Sequence, residues 1–482
     1  MKIDMLIDGA PVSAKSGKTY ERIDPFTGEV ATVAAAATAE DVPGIVASAQ
    51  EAFESWSRTG PNARRKILNK AADILESKAD EFASLIIAET GATGPWAGFN
   101  VAFAAGVLRE AASMTTQITG EIIPSDKAGS MAMGQRKPLG VCLGIAPWNA
   151  PVILGVRAIA MPLACGNTVI LKASEACPGT HRLIGDVLAE AGLPKGVLNV
   201  VTNAPEDAAD LVAALIGHDA VKHVNFTGST AIGRIIGRLA GENLKPVLLE
   251  LGGKAPLVVL DDADIDGAVN AAVFGAFMNQ GQICMSTERI IVDEKIADDF
   301  VAKLSARAAS LPAGDPRGKV ALGALISEAA AEKMEALVDD AVSKGAKLTA
   351  GGARKGAVVP AGVLDGVTSA MRIYSEESFG PVKSVIRVKG DDDAVRVAND
   401  TEYGLSAAVH GGDLKRAMAV ADRIKSGICH INGPTVSDEA QMPFGGVKAS
   451  GHGRFGGKAG IDAFTEWRWL TIEDPHKQHY PF

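Results

Sequence analysis

Short runs of apolar, β-branched residues alternate with amphipathic stretches through most of the chain after residue 139. Between 139 and 260 the predicted strands are 141–146, 168–172, 197–201, 222–226 and 247–249. The predicted crossover helices between them are 178–191 and 229–240. This alternation predicts βαβ units and a parallel sheet, which is a nucleotide-binding architecture. Ligands bind beyond the carboxyl ends of such strands.

A second alternation runs from 257 to about 427, with predicted strands near 257–260, 289–292 and 382–388. It predicts a second α/β domain. The linker-like stretch 314–318 and the Gly- and Ala-rich stretch 345–362 are predicted surface loops. The predicted fold class is therefore α/β, with two Rossmann-type, three-layer domains.

The N-terminal part has a different pattern. Residues 3–34 have the composition of short strands and turns, and 41–90 has a helical period. We expect 41–90 to form a solvated outer helix pair that has no catalytic or binding role. Its apolar positions recur at Ile67, Leu68, Ala71, Ile74, Leu75, Phe82, Leu85 and Ile86.

A further helix is predicted to begin at Pro95, and three ring-bearing residues and one asparagine fall on one stripe of it. The members of the stripe are Trp96, Phe99, Asn100 and Phe103. Core packing is one interpretation. The other is the wall of an apolar substrate tunnel, because three of only 23 aromatic residues cluster here.

Two segments alternate in the manner of exposed strands. Residues 119–138 are predicted to form a hairpin, and 467–472 to form another strand. Exposed strand edges are usually paired or covered. The two segments together are predicted to be an oligomerisation surface.

Composition removes several classes of function. The 482 residues are 47% hydrophobic and 22% charged, and the formal charge of −9 argues against a nucleic-acid partner. No apolar run approaches the roughly 18 residues that span a bilayer, and the first residues do not have a signal-peptide layout. The five cysteines lack CxxC spacing, and the histidines lack ligand spacing. We expect a reduced, cytoplasmic protein without a membrane partner or a metal.

Cys284 is the first candidate for chemistry. It lies in the stretch 279–288, where a predicted helix (265–278) gives way to a β-branched run. A cysteine at such a transition can be partly exposed, with backbone N–H groups nearby that stabilise a thiolate. The alternative is that a crowded turn requires a small residue.

Three predicted strands of the first alternation end in polar side chains. Asn149 follows the first of them, where an amide N–H₂ can stabilise an oxyanion. Lys172 and Glu175 end the second and suit the two hydroxyls of a ribose, although an exposed charged turn has the same composition. Because a carboxylate repels a 2′-phosphate, Glu175 favours NAD over NADP. Glu250, followed by two glycines, is a candidate general base that only the fold can bring to Cys284.

A glycine turn also joins a predicted strand to a helix at 226–233. Gly228 and Ser229 lie at this helix N-terminus, which is suited to a pyrophosphate. The spacing is not the GxGxxG fingerprint, so the motif by itself has low specificity.

Seven motifs in order make the chain similar, over essentially its whole length, to the NAD(P)-dependent aldehyde dehydrogenase superfamily. They are Pro147-Trp148-Asn149, Lys172-Ala173-Ser174-Glu175, Phe226-Thr227-Gly228-Ser229, Glu250-Leu251-Gly252-Gly253, Gly281-Gln282-Ile283-Cys284, Glu377-Ser378-Phe379-Gly380-Pro381 and Pro443-Phe444-Gly445-Gly446.

The resemblance implies a division of the chain into three parts. Residues 1–118 and 139–250 would form the dinucleotide-binding domain, 251–430 the catalytic domain, and 119–138 with 465–482 the oligomerisation hairpin and arm of a homodimer or homotetramer.

The resemblance also assigns roles to residues. It implies that Cys284 is the nucleophile, Asn149 the oxyanion donor and Glu250 the group that activates water, which would give a free carboxylic acid as product. The implied cofactor-binding residues are Trp148, Lys172, Glu175, Gly228, Ser229, Glu377 and Phe379.

The substrate is predicted from fewer residues. Ala150 leaves width beside Asn149, Trp96 offers a flat ring for stacking, and Arg157 lies about two helical turns beyond Asn149. Arg157 suits a phenolic or methoxy oxygen, or else forms a structural ion pair. With the terminal His479-Tyr480-Pro481-Phe482, these residues resemble bacterial aromatic aldehyde dehydrogenases of the salicylaldehyde or vanillin type.

The predicted function is therefore NAD-dependent oxidation of an aromatic aldehyde, most simply a hydroxylated benzaldehyde. One alternative is a broad-specificity, aliphatic or semialdehyde dehydrogenase of the same superfamily. More remote alternatives are an esterase that uses Cys284 without a cofactor and a non-catalytic structural relative.

Overall fold

A computed structural model describes residues 1–476, 480 and 482, and its sheets and covering helices confirm the α/β class. In chain order its strands are β1 (Lys2–Ile3), β2 (Met5–Ile7), β3 (Ala10–Val12), β4 (Thr19–Ile23), β5 (Val30–Ala35), β6 (Glu121–Ile123), β7 (Met131–Pro138), β8 (Val141–Ile145), β9 (Thr168–Lys172), β10 (Leu198–Val201), β11 (Val221–Thr227), β12 (Val247–Glu250), β13 (Ala255–Val259), β14 (Thr287–Asp293), β15 (Lys347–Ala350), β16 (Gly362–Asp365), β17 (Val382–Val388), β18 (Ser406–His410), β19 (Ile428–Ile431), β20 (Gly451–His452) and β21 (Thr465–Ile472).

The α-helices are α1 (Val42–Trp56), α2 (Pro61–Ser77), α3 (Ala79–Thr90), α4 (Gly94–Met114), α5 (Pro151–Ala164), α6 (Pro178–Glu190), α7 (Ala208–Gly217), α8 (Thr230–Glu242), α9 (Ile265–Phe277), α10 (Ala297–Ala309), α11 (Glu328–Ser343), α12 (Arg372–Ser375), α13 (Gly390–Asn399), α14 (Leu414–Asp422) and α15 (Gly457–Ala463). Short 3₁₀ helices lie at Ala39–Asp41, Pro205–Asp207, Met278–Gly281 and Lys448–Ser450.

The first large sheet has the strand order β20-β12-β11-β8-β9-β10-β2-β3. Its five central strands run parallel, and a large apolar cluster packs α2, α4, α5 and α6 against it. The register pairs Thr227 with Glu250, and Ile145 with both Phe226 and Lys172. The carboxyl ends of four strands therefore meet at one edge, which is where ligands bind in such sheets.

The second large sheet has the order β15-β16-β17-β14-β13-β18-β19, and β15 is its antiparallel strand. The chain passes from one sheet to the other at 251–254, so the carboxyl end of β12 leads directly to the amino end of β13. β14 lies parallel beside β13, with Thr287 paired to Ala255. Cys284 is three residues before β14. This topology brings Cys284 and Glu250 together although 34 residues separate them.

The predicted hairpin is present as β6 and β7, and β21 pairs along the whole of β7 in a separate three-stranded sheet. This sheet exposes large apolar side chains, of which Ile122 is 79% and Trp469 is 78% exposed. Another small sheet, in the order β1-β5-β4, lies near the N-terminus.

Two predictions about the outer parts of the chain are wrong. Residues 41–90 form three helices and not a pair, because Gly60 and Pro61 begin α2 and Lys78 leaves helical geometry before α3. The predicted loop 345–362 contains β15, whose pairing with β16 is a tertiary contact that its mostly exposed residues do not indicate. Among the described residues, none of the helices combines the length and apolar character that a bilayer crossing needs.

Candidate active site

A strained turn positions Cys284. α9 ends at Phe277, and the next residues include three with positive φ, Asn279 (47°), Gln280 (54°) and Gly281 (72°). A side chain at Gly281 would clash with a backbone carbonyl oxygen, that of Gly380. Hydrogen bonds hold the other two, because Asn279 donates to the carbonyl of Asn149 (2.9 Å) and Gln280 to that of Ala324 (2.9 Å). Side-chain hydrogen bonds therefore stabilise the strained geometry of this turn.

Two cavities meet at Cys284, whose side chain is half-buried between them. One, of about 180 Å³, lies on the side of the first sheet, and the other, of about 450 Å³, lies on the side of α4 and α5. Cys284 and Asn149 line both. A reactant in either cavity would therefore reach the same sulfur.

Asn149 has a fixed orientation beside this sulfur. Its side-chain N–H₂ donates to the carbonyl of Gln282 (3.0 Å), and its own carbonyl accepts from the indole N–H of Trp96 (3.0 Å). An amide N–H₂ carries two hydrogens, so one remains for a ligand oxygen. The placement agrees with the predicted oxyanion donor.

Glu250 is 1% exposed, and neither of its carboxylate oxygens has a hydrogen bond within the described residues. Burial, reinforced by the negative charges of Glu377 and Asp438, raises its pKa to about 7, although the Cys284 thiol and Arg157 lower it. A carboxyl with a pKa near neutrality can accept a proton at neutral pH. This property suits the predicted general base.

The thiol of Cys284 does not have the predicted property. Burial first, and then the negative charge of Glu250, raise its pKa well above that of a free cysteine. Burial and the neighbouring carboxylate therefore both favour the thiol over the thiolate, contrary to the expectation that nearby N–H groups stabilise a thiolate. The carboxylate beside the sulfur disfavours a second negative charge.

The smaller cavity contains most of the predicted cofactor residues. It is lined by Pro147, Trp148, Asn149, Thr227, Gly228, Ser229, Glu250, Leu251, Gly252, Cys284, Glu377 and Phe379. Ser229 is the N-cap of α8, where its hydroxyl accepts from Ile232 N–H (3.4 Å). A side chain at Gly228 would clash with the Phe226 ring. The open helix N-terminus and the bare glycine fit the phosphates of a dinucleotide.

Glu377 and Phe379 line the far wall of this cavity. Glu377 accepts from Gly253 N–H (2.8 Å), and burial raises its pKa to about 7. The Phe379 ring meets the Trp148 ring edge-on, with centroids 5.6 Å apart.

Lys172 and Glu175 line neither of the two cavities that meet at Cys284. They form an ion pair with each other. Glu175 also accepts from Asn203 N–H₂ (3.0 Å). Although burial opposes it, Lys172 lowers the pKa of Glu175. β9 is two strands from β11, so the pair lies roughly 10 Å along the sheet edge from Ser229. The exposed-turn alternative is wrong for Lys172, which is 4% exposed.

The sequence reasoning missed Glu288, which holds the Glu377–Phe379 turn in place. Its buried carboxylate accepts from Lys254 (2.7 Å), Lys383 (3.0 Å), the Ser378 hydroxyl (2.6 Å) and the Phe379 N–H (3.3 Å). Burial opposes ionisation, but the two lysines outweigh it and lower the Glu288 pKa. Phe379 has φ of 51°, which these contacts support. Lys383, a charge within an apolar run, was the available signal.

The larger cavity is apolar and rich in rings. Its lining residues are Trp96, Phe99, Phe103, Asn149, Ala150, Ile153, Leu154, Arg157, Phe274, Met278, Ile283, Cys284, Met285, Pro434, Val436, Ser437, Asp438 and Phe444. All three predicted substrate residues, Trp96, Ala150 and Arg157, are among them. Phe274 and the 434–438 segment were missed because nothing in their local pattern relates them to α4.

For the stripe on α4, the substrate-tunnel interpretation applies to some residues and the core-packing interpretation to another. Trp96 and Phe99 stack with centroids 5.5 Å apart and line the cavity with Phe103. Asn100 is fully buried and donates to the Trp96 carbonyl (3.0 Å), so it belongs to the packing of the helix. The tunnel interpretation therefore describes the rings and not Asn100.

Arg157 forms the structural ion pair that was the alternative to substrate binding, and it also lines the cavity. Its guanidinium donates to Asp438 and lies 4.4 Å over the centroid of the Phe444 ring. Within the described residues no cluster of His, Cys, Asp or Glu is arranged for a metal ion. His479 and Pro481, which were part of the sequence resemblance, lie outside the described residues.

Comparison with known proteins gives consistent results. A model described as the aldehyde dehydrogenase family matches residues 12–470. The chain is 58% identical over 482 residues to vanillin dehydrogenase of Pseudomonas fluorescens, covering 100% of both. It is 52% identical over 484 residues to salicylaldehyde dehydrogenase of Pseudomonas putida, again covering 100% of both. The crystal structure of a salicylaldehyde dehydrogenase from Pseudomonas putida G7 complexed with salicylaldehyde has a TM-score of 0.98 at 51% identity, with full coverage of both chains.

Proposed function

The chain belongs to the aldehyde dehydrogenase family of NAD(P)-dependent oxidoreductases, and we propose that it oxidises an aromatic aldehyde to the carboxylic acid with NAD. The observation that supports this most directly is the position of Cys284 where two cavities meet. One cavity has the helix N-terminus and bare glycine that suit a dinucleotide. The other is apolar and lined by rings, as an aromatic substrate requires.

The catalytic residues act in a fixed order in this proposal. Glu250 accepts the proton of the Cys284 thiol, and the sulfur attacks the aldehyde carbon. The Asn149 amide and the Cys284 N–H stabilise the negative oxygen of the resulting thiohemiacetal. Glu377 and Phe379 would hold the nicotinamide end of NAD in the smaller cavity, and the bound cofactor would supply the hydride acceptor. The product of that oxidation is a thioester on Cys284.

Hydrolysis of the thioester requires a base. Glu250 first releases to solvent the proton that it took from Cys284, and then takes a proton from water while the hydroxide adds to the acyl carbon. The C–S bond breaks to release the carboxylic acid, and the proton on Glu250 passes to the departing sulfur, which restores the Cys284 thiol. Because Glu250 has a pKa of about 7, a substantial part of it is ionised at neutral pH. The same carboxylate therefore serves both the attack and the release.

We further propose that NAD is preferred to NADP. Glu175 is a partly buried carboxylate three residues beyond the end of β9, already paired with Lys172. A 2′-phosphate placed there would meet a like charge and a lysine whose charge is already balanced.

The ring-lined cavity favours aromatic over small aliphatic aldehydes, and a broad-specificity or semialdehyde dehydrogenase remains the alternative. Ala150 leaves the cavity wide beside Asn149, and Trp96 and Phe99 offer ring faces. The names of the two curated relatives support the same choice. An esterase using Cys284 would need no NAD, so strict cofactor dependence of turnover separates the two classes.

We propose that the exposed three-stranded sheet is the interface of a homodimer or homotetramer, and that the three-part division predicted from the sequence applies. The unpartnered apolar residues Ile122 and Trp469 support the interface. All five cysteines are free, which supports a role in the reducing cytoplasm.

A substrate panel tests the proposal. The increase in NADH absorbance is followed with benzaldehyde, its hydroxylated derivatives, short aliphatic aldehydes and succinate semialdehyde, using NAD and NADP side by side. We expect the benzaldehydes with NAD to give the highest kcat/KM. An aliphatic aldehyde that equals or exceeds them would contradict the aromatic assignment, and equal use of NADP would contradict the cofactor assignment.

A further inference from the structure

Asp438 is a polar group in the wall of an otherwise apolar cavity. One of its carboxylate oxygens, Oδ2, accepts from Arg157. The other, Oδ1, is buried, and no described group donates to it. The side chains of Arg157 and Asp438 are only 7% and 12% exposed. A buried acceptor without a donor is costly, and a ligand that donates to it would be favoured.

The pair lies close to the reacting atoms. Arg157 and Asp438 line the same cavity as Cys284. Their charges also act on the catalytic groups, since Arg157 lowers the pKa values of Glu250 and Cys284 while Asp438 raises that of Glu250. A ring held with its aldehyde at Cys284 is therefore within the influence of Asp438.

The charge of Arg157 is balanced within the fold, although its hydrogen bond to Asp438 uses only one of its nitrogens. Its guanidinium is engaged by Asp438 on its edge and by the Phe444 ring on its face. Its charge is thus balanced before any substrate enters. A substrate carboxylate would gain little from Arg157 and would be repelled by Asp438, whereas a neutral hydroxyl donor would complete the hydrogen bonding of Oδ1.

We propose that Asp438, held by Arg157, accepts a hydrogen bond from a hydroxyl group on the aromatic ring of the substrate. This inference rests on the proposed oxidation of aromatic aldehydes and adds to it the group that selects among them. It reverses the assignment suggested by the sequence, in which Arg157 would meet the ring oxygen. A methoxy group accepts but does not donate, so the two assignments predict different substrate preferences.

The experiment compares hydroxybenzaldehydes with the methoxybenzaldehydes of the same ring position, in the wild type and in Asp438→Asn. The readout is the ratio of kcat/KM for hydroxy to methoxy substrate at the best ring position. In the wild type we expect this ratio to be at least about tenfold, because the methyl ether leaves the acceptor unpaired. In Asp438→Asn we expect the ratio of hydroxy to methoxy kcat/KM to fall by at least about fivefold. The reason is that asparagine can present an N–H₂ donor where aspartate presents the acceptor Oδ1.

Glu439→Gln is the matched control, because Glu439 is exposed, adjacent in sequence and absent from the lining of the cavity that contains Cys284. Its ratio should equal that of the wild type. Formylbenzoates provide a second readout, since their kcat/KM relative to benzaldehyde should rise in Asp438→Asn when the repelling charge is removed.

Several results would overturn the inference. If the wild type uses methoxy and hydroxy substrates equally, Asp438 is not the group that binds the ring oxygen, and the assignment of that role to Arg157 is favoured. If Asp438→Asn keeps the wild-type ratio of hydroxy to methoxy kcat/KM, Asp438 does not recognise the ring hydroxyl. If Asp438→Asn does not fold, the wild-type ratio measured against pH decides, because it should fall as the ring hydroxyl loses its proton, and a constant ratio refutes the donor role. Failure of the proposed function is distinct, since no benzaldehyde would then be oxidised at all.

Discussion

Replacing Glu250 with Gln should show separately how much this carboxylate destabilises the folded protein and how much it contributes to catalysis. A carboxyl whose pKa is higher in the folded than in the unfolded protein holds its proton more tightly when folded. Raising the pH from about 4.5, the ordinary value, to about 7, the value in the fold, therefore lowers the stability of the wild type. Glutamine does not ionise, so the variant escapes this loss.

The size of the effect follows from the pKa and the burial. The shift from 4.5 to about 7 corresponds to about 3 kcal/mol, at about 1.4 kcal/mol for each pKa unit. Because Glu250 is 1% exposed, solvent screening does not reduce this value much. The difference in free energy of unfolding between Glu250→Gln and the wild type should grow by about 2 to 3 kcal/mol from pH 5 to pH 8.

The assay is guanidinium unfolding of both proteins at pH 5 and pH 8, combined with stopped-flow detection of NADH. Glu250→Gln should give a slower burst of NADH, because the Cys284 thiol must then lose its proton to water, but the burst amplitude should stay close to one equivalent per site. Its steady-state rate should fall by roughly 10² to 10⁴, because the thioester forms but is not hydrolysed. In the wild type the steady-state rate should rise with pH through about 7.

Glu377→Gln is the matched control, since Glu377 is also buried and also has a pKa raised to about 7. It should show a similar pH-dependent gain in stability. Its kinetic defect should lie in the burst and not in the hydrolysis, because Glu377 lines the cofactor side of the cavity. A stability difference for Glu250→Gln that stays constant with pH, or a variant without a burst, would refute the reasoning.

Three further predictions concern other parts of the protein. Cys284→Ala should abolish both the NADH burst and turnover while leaving the circular dichroism spectrum unchanged, and residual dehydrogenase activity would remove Cys284 as the nucleophile. Glu175→Gln should raise kcat/KM with NADP relative to NAD by about tenfold, because one like charge is lost and Lys172 is freed; an unchanged ratio would place the 2′-phosphate elsewhere. Trp469→Glu should reduce the mass measured by light scattering to that of a smaller assembly, and an unchanged mass would exclude the exposed sheet as the interface.

The local pattern of the chain predicted the five central strands of the first large sheet and three of the seven strands of the second, β13, β14 and β17. Apolar runs such as β9 and β17 have the predicted bounds, because parallel strands buried on both faces leave a strong signal. Polar residues at or shortly beyond the ends of such strands, Glu250 and Asn149 among them, were identified because strand ends of a parallel sheet meet at one edge. The ring residues of α4 were found for a similar reason, since three of them recur on one helical face.

Tertiary structure decided what depends on neighbours distant in the sequence. The raised pKa of Cys284 comes from burial and from Glu250, which the passage between the two sheets brings beside it. The engagement of Arg157 comes from Asp438, 281 positions further along the chain. Electrostatic energy depends on separation in space and on the surrounding dielectric, and neither quantity is written in the order of residues. The sequence by itself therefore determined which groups are available, and the fold determined their charge and their partners.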